Sequence, residues 1–222
     1  MVDLTPLNRA LYQGESEAVV ALTEQALAAG LPAERILQEG LVKGMKVVGE
    51  DFRNNVIYVP QVLIAARSMK AGMTILEPQL GGSGGAARLG TIVLGTVKGD
   101  LHDIGKNLVR MLAEGAGFEV IDIGVDQTAD SFIAAAREHG AGIVGASALL
   151  TTTMPYMKTV VDAFAAAEGL HDVRICVGGA PVSAEYAEQI GAAGHADDAS
   201  RAVDLFERIY PGGAGKENRA GG

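Results

Sequence analysis

The run Asp100-Leu101-His102-Asp103-Ile104-Gly105 places one imidazole two residues after a carboxylate and three before a glycine. A carboxylate at that spacing can accept a hydrogen bond from one ring nitrogen, which leaves the other free to bind a metal. Gly105 carries no side chain, so a bulky planar ligand can approach the backbone there. The run follows an apolar stretch, Leu89 to Val97, and leads into a helical pattern. A strand-to-helix loop of this kind is where a parallel α/β sheet binds its ligand. Two other loops belong to the same edge: Ser147, Leu149, Thr151 and Thr153 follow a third apolar run, and Gly178, Gly179 and Ala180 follow a fourth. Together they offer one metal-capable imidazole, several hydroxyls that donate or accept, and a glycine pair that leaves room for a flat, buried group.

The elements that must position these residues fall into two unlike halves. From the start of the chain to residue 77, apolar residues recur at helical spacing: Leu4, Leu7 and Leu11; Val19, Leu22 and Ala26; Leu37, Leu41, Met45, Val48 and Phe52; Val62, Met69, Met73 and Leu76. Four short amphipathic helices result, and four antiparallel helices of this size make a small bundle. Gly30 can close the second helix in a left-handed cap, while Pro32 and Pro60 suit the first turns of the third and fourth. Residues 78–88 are rich in glycine with no apolar periodicity, and read as a flexible linker. Residues 89–210 then alternate β-rich runs with helices, the pattern of a parallel sheet. Strands are expected at Thr91–Val97, Phe118–Asp122, Gly142–Ser147 and Val173–Val177, with a weaker fifth at Ala193–Ala196. Helices are expected at Ile104–Gly115, Ala129–His139, Thr152–Ala167, Ser183–Ile190 and Ala199–Ile209. The predicted fold is α plus α/β: a helical bundle followed by a flavodoxin-like, Rossmann-like doubly wound sheet of five parallel strands. Residues 211–222 are expected to form a disordered tail.

Composition limits the function classes. The 222 residues are 48% apolar, enough to fill real cores, with no Trp and with abundant glycine. A formal charge of −9 opposes non-specific nucleic-acid binding, which depends on clustered Lys and Arg. The single cysteine, Cys176, excludes an internal disulfide and a multi-thiolate metal site within one chain. No apolar run reaches membrane-spanning length and the N-terminus lacks a signal pattern, so a cytoplasmic location without membrane attachment is expected.

The set Asp100-x-His102-x-x-Gly105, Ser147-Ala148-Leu149 and Gly178-Gly179 resembles the triple signature of cobalamin-binding domains that hold the cofactor with its dimethylbenzimidazole tail detached. The stretches Gly44 to Phe52, Val59 to Val62 and Ala66 to Lys70 resemble the four-helix cap of methionine synthase and of small corrinoid methyl carriers. The likeness runs from about residue 10 to 210 in the same module order. It implies that His102 is the lower axial ligand to cobalt, that Asp100 holds and tunes it, and that Thr153 stands where methionine synthase has the serine of its proton relay. It implies further that Ser147 hydrogen-bonds the detached base, that Thr151 lies near the corrin, and that Gly178 and Gly179 line the slot for the tail. Gly99, Leu101, Asp103, Leu149 and Ala199 are assigned to the cofactor on the same likeness. Phe52 and Val59 match the apolar pair that shields the methyl group, with valine where methionine synthase has leucine.

The function this resemblance implies is a corrinoid protein carrying a methyl group, as methylcobalamin, between a donor-specific methyltransferase and an acceptor methyltransferase. Donors in view are methanol, methylamines, methoxylated compounds or methyltetrahydrofolate, and a reductive reactivase is a further possible partner. Both a methylotrophic carrier and a split methionine synthase subunit in one-carbon metabolism fit the residues. Alternatives are a cobalamin-sensing regulator, disfavoured because no basic recognition helix is present, and the small subunit of a mutase, which lacks such a cap. A nucleotide-binding domain is a weaker rival, since the first loop lacks both Gly-x-Gly-x-x-Gly and the Walker pattern. Taken without the likeness, Asp100 and His102 read more readily as a helix cap and a surface histidine than as a ligand site. Phe52 can equally close the bundle. His139, His171 and His195 fall at helix ends or loops without a carboxylate in ligand spacing and read as solvated or structural. Cys176 reads as a buried strand residue, and Met45, Met69 and Met73 as core.

Overall fold

The structure, a computed structural model, describes residues 2–80 and 89–210. The chain forms two compact units. The expected linker, from residue 81 on, and the expected tail lie outside the described residues.

The first unit is built on α1 (Thr5–Gln13), α2 (Ser16–Ala28), α3 (Ala33–Arg35), α4 (Lys43–Arg53) and α5 (Val59–Leu76). Helix α3 passes through a π-helical stretch, Ile36–Val42, into α4 without a break, so the four expected helices are present with an unexpected middle in the third. The residue spacing explains it. Leu37, Leu41 and Met45 recur every fourth residue, as do Ile36, Gly40 and Gly44, and all six are buried. An α-helix turns once in about 3.6 residues, so repeated steps of four drift round its surface. The wider π turn absorbs that drift and keeps the stripe facing inward. Its cost is a disturbed hydrogen-bond ladder. The Asn8 side-chain amide from α1 donates to the carbonyls of Glu39 (3.0 Å) and Gly40. Leu7, Leu11, Val19, Leu37, Leu41 and Val48 are buried in this bundle. Gly30 closes α2 at φ 83°, as its sequence position suggested, and the Gln61 side chain accepts from the Tyr58 N–H (3.1 Å) at the start of α5.

The second unit holds β1 (Gly90–Thr96), the start of α6 (Ile104–Gly115) up to Arg110, β2 (Phe118–Asp122), α7 (Ala129–His139), β3 (Ile143–Ser147), α8 (Tyr156–Ala166), β4 (Arg174–Gly178), α9 (Ala184–Ile190), β5 (Gly194–Ala196) and α10 (Ala199–Ile209), and residues 111–117 are grouped with the first unit. All pairings are parallel, in the order β2-β1-β3-β4-β5, the flavodoxin-like arrangement. Strands buried on both faces read as continuous apolar runs, which is why Ile92-Val93-Leu94 and Ile175-Cys176-Val177 show no alternation. Val93, Val144 and Ile175 pack with Phe132 of α7, Val160 and Phe164 of α8, and Ile190 of α9. The register sets Ser147 between Thr96 and Gly178, so the carboxyl ends of the three central strands line up.

One expectation needs correction, and one open reading is narrowed. The helix expected at Thr152–Ala167 begins at Tyr156, because residues 152–155 form a turn in which the Thr153 hydroxyl bonds to other groups. His195, read as solvated or structural, lies on β5 with its side chain 7% exposed and its Nδ1 4.0 Å from the Asp197 carboxylate, which favours the structural reading. Its Nε2 is buried without a partner among the described residues.

Replacing Asn8 by Ala leaves the carbonyls of the π-helical stretch without their side-chain donor. A loss of about 1 kcal/mol is expected, read as a lower urea midpoint. An unchanged midpoint would show that solvent serves those carbonyls equally well.

Candidate functional site

The loop after β1 turns sharply, with the Asp100 N–H donating to the Val97 carbonyl (3.1 Å) and Gly99 at φ 84°, a region where side chains are strained. That turn sends the Asp100 side chain inward, where it is fully buried. A buried carboxylate must be heavily hydrogen-bonded to stay charged. Its Oδ1 accepts from the His102 N–H (3.0 Å) and pairs with the His102 ring at Nδ1 (2.8 Å). Its Oδ2 accepts from the Thr153 hydroxyl (2.6 Å) and from the backbone N–H groups of Leu149 (2.8 Å) and Leu150 (3.3 Å). Burial pushes the carboxyl upward, but hydrogen bonds from Thr153, from the His102 and Leu149 backbone and from the imidazole outweigh it, holding Asp100 well below the usual carboxylate range.

An ionised Asp100 fixes the histidine tautomer. The Nδ1 proton points at the carboxylate, and Nε2 keeps its lone pair. The ring is half-exposed, and Nε2 meets no partner among the described residues. No group of three His, Cys, Asp or Glu side chains that could hold a metal ion occurs among those residues. A single imidazole suits one axial position on a metal already held by a macrocycle.

The histidine loop is also gripped from the β2 side. Asp126, a non-glycine residue at φ 55°, accepts from the Gly99 N–H through its carboxylate (2.7 Å). Its own N–H donates to the Asp100 carbonyl (3.0 Å). The buried Thr96 hydroxyl donates to the His102 carbonyl (2.9 Å). The ligand loop is thus tied on one flank by the Asp100 carboxylate and on the other by Asp126.

Beside His102 opens a cavity of about 500 Å³ that runs along the ends of β1, β3 and β4 toward α10. Of the residues expected to meet a cofactor, Leu101, His102, Asp103, Gly105, Ser147, Leu149, Gly178, Gly179 and Ala199 line it. Gly179 is required by the chain itself: at φ 131° a Cβ would lie 1.8 Å from the Ala148 carbonyl oxygen. Gly105 is different, since a Cβ there meets nothing within 4 Å. The Ser147 hydroxyl likewise finds no partner among the described residues, although it faces the cavity. Leu101 and Ile104 are 72% and 80% exposed on the histidine loop, and Leu149 and Leu150 are exposed on the neighbouring one. Exposed apolar side chains flanking a free imidazole fit a broad, largely apolar ligand resting on the loop.

Other expected residues stand apart. Asp100 and Thr153 lie behind the imidazole as its support, and Gly99 acts through the turn. Thr151, expected near the corrin, is exposed and does not line the cavity. Phe52 and Val59 belong to the first unit, where Phe52 is half-buried at the end of α4 and Val59 is exposed at the start of α5.

The sequence reading missed Ile104, Asp126, and the pair Lys106–Asp122. Lys106 lines the cavity with its ammonium held by both Asp122 oxygens (2.5 Å) and by Asn107 (3.2 Å). No local pattern marks a pair 16 residues apart. The α10 wall, Ala199, Ala202 and Phe206, does show helical spacing, but that pattern reads equally as core. Cys176 is buried in β4 as expected and also lines the cavity, and its thiol is pushed up to about 12 by burial.

Lys106→Met should cost about 3 kcal/mol by removing the buried cation from Asp122, which keeps only the Gly124 N–H (2.9 Å) and the Arg110 guanidinium at 3.9 Å, and Lys106→Met with Asp122→Leu should recover most of that loss. Denaturation midpoints check it; a double variant as unstable as the sum of both singles would refute the pairing as the cause.

Comparison with known proteins gives a consistent result. Residues 90–204 match the family described as B12 binding domain, and residues 4–77 match a second family of the same description. A corrinoid protein of Desulfitobacterium hafniense is 42% identical over 210 residues, covering 93% of this chain and 96% of that protein. Dimethylamine corrinoid protein 2 of Methanosarcina acetivorans is 41% identical over 210 residues, covering 94% and 96%. The crystal structure of the methanol:cobalamin methyltransferase complex from Methanosarcina barkeri aligns at a TM-score of 0.82 with 30% identity, over 94% of this chain and 80% of that one. A cobalamin-binding protein from Desulfitobacterium hafniense aligns at 0.77 with 32% identity, over 94% and 99%. With both halves matched in order and the likeness running nearly end to end, the chain belongs to the family of B12-binding corrinoid proteins.

Proposed function

We propose that this corrinoid protein binds cobalamin through His102 with the nucleotide tail detached, and carries a methyl group between a donor-specific methyltransferase and an acceptor methyltransferase. The observation that carries the reading is the Asp100-held imidazole, its Nε2 free, standing beside an apolar-rimmed slot. The corrinoid supplies the cobalt that accepts and releases the methyl group. The chain's own residues supply the rest. His102 Nε2 would hold the cobalt, and the exposed Leu101, Ile104 and Leu149 would give the corrinoid apolar contacts. The slot between Ser147, Gly178 and Ala199 takes the tail. The His102 Nδ1 and Asp100 share a hydrogen bond, with the Thr153 hydroxyl donating to the far oxygen, so the carboxylate orients the imidazole and would raise its basicity toward cobalt. Threonine provides the same hydroxyl as the serine of methionine synthase. We assign Phe52 and Val59 to shielding the methyl group.

The names of the relatives favour a methylotrophic carrier over a split methionine synthase subunit. Those relatives are called dimethylamine and trimethylamine corrinoid proteins, and a structural neighbour is a methanol:cobalamin methyltransferase complex. The donor proposed here is accordingly a methylated amine or methanol, activated by a separate protein. A cytoplasmic site of action accords with such partners, and no described helix is long and apolar enough to cross a membrane.

Purified protein loaded with cobalamin should show the visible spectrum of a tail-detached, histidine-ligated corrinoid, and His102→Ala should lose the histidine signature. Absence of bound cobalamin in the unaltered protein would discard the proposal. Thr153→Ala should lower cofactor affinity about tenfold while Thr153→Ser retains it, the size usual for a group supporting a metal ligand. Equal affinities for all three would remove Thr153 from the site.

A further inference from the structure

We infer that the slot beside His102 selects among corrinoids by their lower base, accepting benzimidazole-type or phenolic bases and disfavouring purines. The inference rests on the proposal that this slot seats the detached tail. Its buried wall is made by Leu94, Cys176, Ala202, Leu205 and Phe206, none of which brings a strong hydrogen-bonding group. The backbone behind that wall is already used. Gly145 pairs with Leu94 on one side and with Cys176 on the other, so the central strands offer the slot no spare N–H or C=O. The Lys106 ammonium is taken by Asp122 and Asn107. The Asp103 carboxylate accepts from the Asn107 amide (3.0 Å), and the Asp198 carboxylate accepts from the Arg201 N–H (2.8 Å) at the start of α10. Among the strand side chains of the wall, what remains is the Ser147 hydroxyl, without a partner among the described residues, and the weakly polar Cys176 thiol; Gly179, Ala180 and Asp197 also line the cavity, but at exposed positions where water still reaches them, and the Asp197 carboxylate is engaged by Arg201.

One hydroxyl matches one polar atom. A dimethylbenzimidazole joined to its ribose through one ring nitrogen presents a single further nitrogen and otherwise apolar edges. A phenolic base joined through its oxygen presents no donor at all. An adenine presents several ring nitrogens and an exocyclic amino group, and Ser147 can serve only one of them. Each remaining group would leave water and find no partner, which lowers affinity by about tenfold per group.

The test titrates the apo form of the full chain with four ligands: cobalamin, an adenine-base cobamide, a phenol-base cobamide, and cobinamide, which has no base. Binding is read from the visible spectrum and from the retained corrinoid after gel filtration. Cobalamin and the phenol-base cobamide should bind at least about tenfold more tightly than the adenine-base cobamide, with cobinamide weakest. Equal affinity for cobalamin and the adenine-base cobamide, both above cobinamide, overturns the selectivity and leaves the tail slot standing. Equal affinity for cobalamin and cobinamide overturns the slot itself. Cys176→Ser places a full hydroxyl on the wall at nearly unchanged volume and should narrow the gap between cobalamin and the adenine-base cobamide. A gap unchanged in that variant would show that the apolar wall is not the selector.

Discussion

One buried carboxylate organises the second unit's functional edge. Asp100 lies below the surface, and its two oxygens accept five hydrogen bonds, from two positions of His102, two consecutive backbone amides and one hydroxyl. Those donors come from two strand ends, so a single charge ties the loop after β1 to the loop after β3. The imidazole is oriented by the same charge that holds the loops together. Orientation and local stability are one interaction, and a change that weakened either would weaken both.

The division of labour between loops follows from sheet topology. β1 lies between β2 and β3, so its carboxyl end has a loop on each side to brace it. Asp126 on the β2 side grips the main chain, whereas Leu149, Leu150 and Thr153 on the β3 side grip the side chain. A loop held at both main chain and side chain has little freedom left to lose, so a group meeting the His102 Nε2 would find the imidazole already ordered.

Much of this was legible in the residues. Alternating apolar runs and helical periods located every strand and helix of the second unit, most within one or two residues, because parallel strands buried on both faces leave a strong signal. Asp100 and His102 were readable because their partnership is local, two residues apart. The corrections arose where distant contacts decided. Thr153 looked helical until its hydroxyl proved to be engaged by Asp100 and by the Leu150 carbonyl. Asp126 and the Lys106–Asp122 pair depend on which strand neighbours which, and nothing near them in sequence declares that. For His195, read as solvated or structural, the sequence left the choice open because its burial comes from the packing around β5 and not from its neighbours in the chain.

The π-helical stretch in the first unit has a consequence for how the bundle tolerates change. Deleting one residue between Ile36 and Val42 would let the rod relax into a regular α-helix, a local gain. Each α-helical residue turns the chain by about 100°, so everything beyond the deletion, including Phe52, would face another direction. The irregular segment acts as a phase lock between the two ends of the rod, and insertions or deletions there should be far less acceptable than substitutions that keep the length.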